Sequence, residues 1–85
     1  MKRDKELALR MLQVVQENAD TEGMDLAHLR EALPGRHGVW TAEMIYHLGL
    51  LVEAGYLSKK AATDIDPTTV QLTWAGHDLI EQLMK

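Results

Sequence analysis

The chain has 85 residues, no cysteine and a formal net charge of −4 at pH 7. Its length predicts one domain with a single small core, and the lack of cysteine excludes disulfides and thiolate zinc sites. No apolar run approaches the roughly 18 residues of a membrane span, and the charged N-terminus is unlike a signal peptide. We therefore expect a cytoplasmic protein without membrane contact. The acidic balance argues against a general nucleic-acid coat, although a local basic patch could still bind DNA.

Two helices are predicted in the first part of the chain. Asp4 is placed to cap the first helix, which ends near Asn18 and carries a wide apolar face. That face is either an ordinary core stripe or a stripe whose edge packs on a second subunit. An acidic linker follows, and Asp25 caps a second helix over residues 26–33, which ends before a Pro-Gly pair.

The pattern from Thr41 to Gly55 predicts a third helix with both ends marked. Thr41 can cap its N-terminus, and Gly55 suits the left-handed position after its C-terminus. Four apolar residues at helical spacing predict one buried stripe, formed by Ile45, Leu48, Leu51 and Val52. Before this helix, Val39 and Trp40 form a short extended segment that could add a third strand to a sheet, with Trp40 on the core.

The third helix passes directly into an extended segment. Residues 56–61 and 69–73 have the pattern of two paired strands, and the alternation of Val70 and Leu72 predicts that both face the core. A helix that ends at Gly55 and continues at once as a strand is typical of the third helix and first wing strand of a winged helix-turn-helix.

Thr73 is placed to cap a fourth helix over residues 74–84, whose buried stripe would be Leu79, Ile80 and Leu83. The predicted fold class is mainly α with a small β-hairpin (α+β). It is a single winged helix-turn-helix domain over residues 1–85, with the order helix-helix-helix-strand-strand-helix. The predicted core consists of Leu48, Leu51, Leu57, Val70, Leu72, Trp74 and Ile80. The terminal helices 1 and 4 carry further apolar surface, which predicts a homodimer contact through Leu9, Leu12 and Met84.

Two segments resemble a known family. They are YHLGLLVEAGYL at residues 46–57 and LTWAGHDLIEQL at residues 72–83, together with MKRD at the start. In these segments the chain is similar to the short bacterial and phage proteins of domain of unknown function 2513. The resemblance implies a winged-helix fold and no established activity. The first segment also resembles the recognition helix of ArsR-type repressors, which commonly place a Lys after His-Leu, where this chain has Gly49.

In a DNA-binding winged helix, the exposed face of the third helix enters the major groove. Here that face would present Glu43, Met44, Tyr46, His47, Leu50 and Glu53. Without Lys or Arg, base readout would depend on Tyr46 and His47 or on DNA shape. If His47 faces the groove, acidification should strengthen binding, because protonated imidazole donates from both nitrogens. Gly49 either packs tightly inside the monomer or faces a partner.

Positive charge lies beside this helix rather than on it. Arg36 in the preceding turn, with Lys59 and Lys60 on the wing, could contact phosphates, and a solvated side chain is the alternative for each. Further basic residues lie at the start of helix 1. The candidate DNA-binding residues are Arg36, Tyr46, His47, Gly49, Lys59 and Lys60.

The sequence predicts neither an enzyme nor a bound cofactor or metal. The histidines at positions 28, 37, 47 and 77 lack the i, i+4 spacing of a helical metal site, and we expect His47 and His77 to be structural. Ser58 is the only serine and lacks the context of an activated nucleophile, and no phosphate-binding glycine loop is present.

Two functions are open. The first is a small DNA-binding transcriptional regulator of bacterial or phage origin that binds double-stranded DNA, and the fold and basic flanks favour it. The second is a winged helix that binds a protein partner or dimerises without DNA, and the acidic net charge and the character of helix 3 favour it. A continuous positive band across helix 3 would indicate DNA, and a neutral or negative helix 3 would indicate a protein partner.

Overall fold

The computed structural model describes residues 2–33, 41–61 and 68–85. This part of the chain is mainly helical with a small three-stranded antiparallel sheet, so the predicted α+β class is confirmed. In chain order the elements are α1 (Lys5–Asn18), β1 (Met24–Asp25), α2 (Leu26–Ala32), α3 (Ala42–Glu53), β2 (Leu57–Lys60), β3 (Thr69–Leu72) and α4 (Trp74–Leu83).

Each helix begins at a side chain that caps its free amides. Asp4 Oδ1 accepts hydrogen bonds from the amides of Glu6 and Leu7, at 2.9 and 3.2 Å. The same role is played at α2, α3 and α4 by Asp25, Thr41 and Thr73. The predicted starts of all four helices are therefore confirmed.

The end of α3 at Gly55 is also as predicted. Gly55 has a φ of +83°, a left-handed conformation that glycine adopts without steric cost. Its amide donates to the Val52 carbonyl at 3.1 Å, and the Tyr56 amide donates to the Leu51 carbonyl at 2.9 Å. This pair of bonds is a Schellman motif, which turns the chain directly from α3 into β2.

The sheet contains a strand that the sequence does not predict. Its order is β1-β3-β2, with antiparallel neighbours, so the predicted element order is wrong in lacking β1. This strand contains Met24, which is buried and pairs with Val70. Two residues inside an acidic linker are too few to show an alternating pattern. The strand predicted at Val39 and Trp40 lies outside the described residues.

The core lies between α1 and the inner face of the sheet. α1 packs against α2, α3, α4 and β3, so its wide apolar face is used within one molecule. Leu12 is fully buried there, and it is therefore wrong as a predicted dimer contact. Leu48 is half-buried against the core. The predicted core residues that are buried are Leu51, Leu57, Val70, Leu72 and Ile80.

Two residues predicted to be buried are exposed, namely Ile45 in α3 and Trp74 in α4. Trp74 is 85% exposed although it directly follows the strand whose alternate residues face the core. The inward side of α4 is set by Gly76 and Ile80. At 3.6 residues per turn, Trp74 lies on the opposite side of the helix from both.

Two helical glycines provide a matched test of this packing. A Cβ at Gly76 would overlap the Tyr56 carbonyl oxygen and lie 2.7 Å from Leu72 Cδ1, whereas a Cβ at Gly49 would meet no described atom within 4 Å. We expect Gly76→Ala to lower the free energy of unfolding by about 1–3 kcal/mol through overpacking. We expect Gly49→Ala to raise it by about 0.5–1 kcal/mol, because alanine favours a helix. Urea denaturation measures both values, and equal effects would contradict the close approach of α4 to Tyr56 and Leu72.

Candidate recognition surface

α3 buries one side and presents the opposite side to solvent. The buried side consists of Met44, His47 and Leu51. Opposite them, at 100° per residue, lies a set of exposed residues that we call the α3 face. Ile45 and Tyr46 on this face are 58% and 38% exposed. The α3 face consists of Ala42, Ile45, Tyr46, Gly49 and Glu53.

The predicted exposed face of this helix is partly wrong. Tyr46 and Glu53 are exposed as expected, but Met44 and His47 are buried and Leu50 is half-buried. Since α3 is apolar around most of its circumference, its sequence allows either of two sides to face the core. The side that contains His47 is buried, because both ring nitrogens of this side chain find hydrogen-bond partners.

His47 links α3 to the N-terminus of α1. Its Nδ1 lies 2.7 Å from the Glu43 carbonyl oxygen, and the Asp4 amide donates to its Nε2 at 2.7 Å. Because a backbone amide can only donate, Nε2 must be unprotonated and Nδ1 must carry the hydrogen. This arrangement gives His47 the structural role that the sequence predicts.

The same burial changes the expectation for His47 and DNA. The side chain is only 2% exposed, so it does not lie where a DNA base could reach it. A protonated imidazole would carry hydrogens on both nitrogens and could not accept the bond from Asp4. The expected strengthening of DNA binding by acidification therefore has no basis at this residue.

Gly49 lies in the middle of the α3 face. The sequence left two alternatives for Gly49, tight packing inside the monomer or contact with a partner. Tight packing is not observed, because no described atom lies within 4 Å of the position that a Cβ would take. The residue is exposed, between the turn that holds Ile45 and Tyr46 and the turn that holds Glu53. Another molecule could therefore approach the backbone of α3 closely at this point.

Two of the three predicted phosphate contacts, Lys59 and Lys60, line one depression together with Glu22. Lys59 and Lys60 are both exposed on β2, an edge strand of the sheet. Lys59 pairs with Val70 and so points to the side of the sheet that the helices cover, whereas Lys60 points to the opposite side. Arg36 lies outside the described residues.

Three further basic residues, Lys2, Arg3 and Lys5, lie near α3, although the sequence does not predict this position for them. They line a depression that also contains Asp4, Glu6 and, from the first turn of α3, Glu43. The bond between Asp4 and His47 brings these residues to α3. The sequence does not predict that these basic residues lie near α3, because Asp4 and His47 are 43 positions apart in the chain.

His77 is exposed on α4 and lies near α1, with its Nδ1 3.5 Å from Gln16 Nε2. Within residues 2–33, 41–61 and 68–85, no group of three or more His, Cys, Asp or Glu side chains is placed to hold a metal ion. Over the same residues, no helix combines the length and apolar character that a membrane span requires.

The comparison with protein families agrees with the resemblance noted in the sequence. The family described as Hypothetical protein (DUF2513) matches residues 2–85. The chain therefore belongs to this family. No curated protein and no solved structure is significantly similar to the chain. Because the family description names no activity, a function has to be argued from the surface itself.

The link between His47 and Asp4 can be tested directly. His47→Phe removes the acceptor for the Asp4 amide, and we expect the free energy of unfolding to fall by about 1–3 kcal/mol. The exposed His77→Phe is the control, with an expected change within about 0.5 kcal/mol. Hydrogen exchange gives a local measurement, because the Asp4 amide should exchange faster in the His47 variant. An Asp4 amide that is already unprotected in the unaltered protein would contradict the hydrogen bond.

Proposed function

We propose that this domain is a winged helix that recognises a protein partner through the α3 face. The fold proposal is supported by the hairpin of β2 and β3 that follows α3 directly, and by a third strand before α2 that completes the sheet. The observation that carries the functional proposal is the chemistry of α3. This helix contains no Lys or Arg, yet it exposes Ile45 and Tyr46 on one side.

An apolar side chain such as Ile45 costs little when it stands alone on a surface, but a group of exposed apolar residues marks a binding site. Tyrosine is among the residues that contribute most to protein interfaces, because its ring buries a large area and its hydroxyl can stay hydrogen-bonded. Gly49, one helical turn further along, leaves room for the backbone of a partner.

The charge of this surface indicates the chemistry of the partner. Glu53 ends the α3 face, and Glu43 lies at its edge toward α1. A partner with apolar side chains beside Lys or Arg would complement this pattern, whereas a phosphate backbone would meet carboxylates. A short helix with an apolar stripe fits best, since its ridge could lie against Gly49.

A photo-crosslinking amino acid at Ile45 tests this proposal in cells that produce the protein naturally. We expect one protein to be captured from position 45 and not from the control position Glu81, which is exposed on α4. With that protein purified, Ile45→Glu should weaken binding by at least about tenfold, because it places a charge in the centre of the contact. Glu81→Lys should leave the affinity unchanged, and equal loss in both variants would contradict a contact through the α3 face.

DNA binding is the second candidate, and the placement of basic residues supports it. Lys2, Arg3 and Lys5 lie beside the first turn of α3, and Lys59 lies on the helical side of the wing. These side chains could contact phosphates on both sides of a groove that α3 enters. Affinity would then come from phosphates rather than base edges, since α3 offers no basic side chain.

Substitutions of the two lysines in β2 test whether DNA binds against α3. If DNA lies against α3, Lys59→Ala should weaken binding to any duplex and reduce the slope of log affinity against log salt by about 0.9. Lys60→Ala is the matched control and should change little, because Lys60 points to the other side of the sheet. Fluorescence anisotropy over a salt series measures both slopes. If no duplex is bound at low salt, the second candidate is excluded.

A homodimer through α1 and α4 is a further proposal. Leu9 is half-buried, and Met84 is 64% exposed beyond the last turn of α4. Both could contribute to a two-fold contact. We expect Met84→Glu to shift the protein toward monomer in sedimentation velocity at high micromolar concentration. A protein that is already monomeric there would contradict the dimer.

A further inference from the structure

A groove of about 440 Å³ lies between the N-terminus of α1, the second half of α3 and the end of α4. Its volume is within the range of pockets that hold small molecules. Leu50, Leu79 and Leu83 line it and are only half-buried, so the groove presents apolar surface that the core of the protein leaves uncovered. None of the residues of the α3 face belongs to its lining.

The charged residues that line this groove are both cations, Arg3 and Lys5. This is unusual for the chain, which has 13 acidic and 9 basic residues. Within the described residues, no carboxylate lines the groove. Asp4, Glu6 and Glu43 share a neighbouring depression with the same two cations. It is the lining of the groove itself that favours an anion, in spite of the negative charge of the whole molecule.

The backbone that carries the two cations is fixed at Asp4, and their side chains are exposed at the groove. Asp4 lies between Arg3 and Lys5, its side chain caps α1 and its amide donates to His47 Nε2. His47 itself lines the groove. The start of α1 is thus fixed against α3, which reduces the loss of conformational freedom when an anion binds there.

We propose that this groove binds a small amphiphilic anion. Its apolar body lies on Leu50, Leu79 and Leu83, and its carboxylate or similar group lies beside Arg3 and Lys5. Tyr56 and Gln82 also line the groove and supply polar groups along its length. The proposal does not depend on a protein partner at the α3 face, whereas DNA bound there would compete with the anion for Arg3 and Lys5.

The test uses decanoate as the probe, with decanol and decyltrimethylammonium as probes of equal chain length and different charge. Amide shifts in ¹H–¹⁵N spectra of the full chain should change around Leu50, Leu79 and Leu83 when decanoate is added. Decanoate should bind more tightly than decanol, and decyltrimethylammonium should bind least. Arg3→Glu should weaken decanoate binding by about fivefold and leave decanol unaffected.

Two further variants complete the test. Arg10→Glu makes the same change of charge on an exposed part of α1 outside the groove, and it should leave decanoate binding unchanged. Ala54→Trp places a large ring in the groove lining and should abolish binding, while urea denaturation shows that the variant is folded.

Three results would overturn the proposal. The first is equal binding of the three probes, which would show contact with apolar surface alone. The second is a set of shifts confined to the α3 face or to Trp74. The third is a dimer that Ala54→Trp dissociates, since a second copy of the chain would then occupy the groove.

Discussion

The carbonyl oxygen of Tyr56 is the point on which the arrangement of four elements depends. It accepts a hydrogen bond from the Thr73 amide at 3.2 Å, and the Thr73 hydroxyl is shared between the Gly55 carbonyl oxygen at 2.6 Å and the Tyr56 carbonyl oxygen at 3.0 Å. Thr73 also caps α4, and Gly76 packs directly against the same oxygen. The end of α3, the start of β2, the end of β3 and the start of α4 therefore meet at one backbone group. If these elements moved apart, the hydrogen bonds of this carbonyl oxygen would be lost.

This junction and the His47 link together hold α3 along its length. The Schellman motif at Gly55 fixes its C-terminal end, and the bond from Asp4 to His47 holds its middle against α1. One side of α3 is buried in the core and the opposite side is largely exposed, although the Tyr46 ring packs edge-on against the His47 ring at a centroid distance of 5.5 Å. Exposed Ile45 and Tyr46 on a rigid helix are suited to recognition, because binding need not order the helix first.

Different surfaces of the protein carry side chains of different charge. The α3 face carries Glu53 and no cation, while Arg3 and Lys5 lie at the apolar groove and Lys59 lies on the edge strand. A net charge of −4 therefore describes none of these surfaces by itself. The character of each surface follows from the local field, which falls off over about 10 Å at moderate salt.

The sequence by itself was enough to predict the four helix starts and the turn at Gly55, because helix capping acts within a few residues. It also predicted the hairpin and the inward positions of Val70 and Leu72, because alternation along a strand is a local pattern. Only the tertiary structure decided which side of α3 is buried, since its apolar pattern fits two registers and His47 needed a partner 43 positions away. Only the tertiary structure showed β1, because its pairing with β3 joins distant segments of the chain. Only the tertiary structure placed Arg3 and Lys5 at the groove. These features depend on contacts between distant residues, which local patterns do not encode.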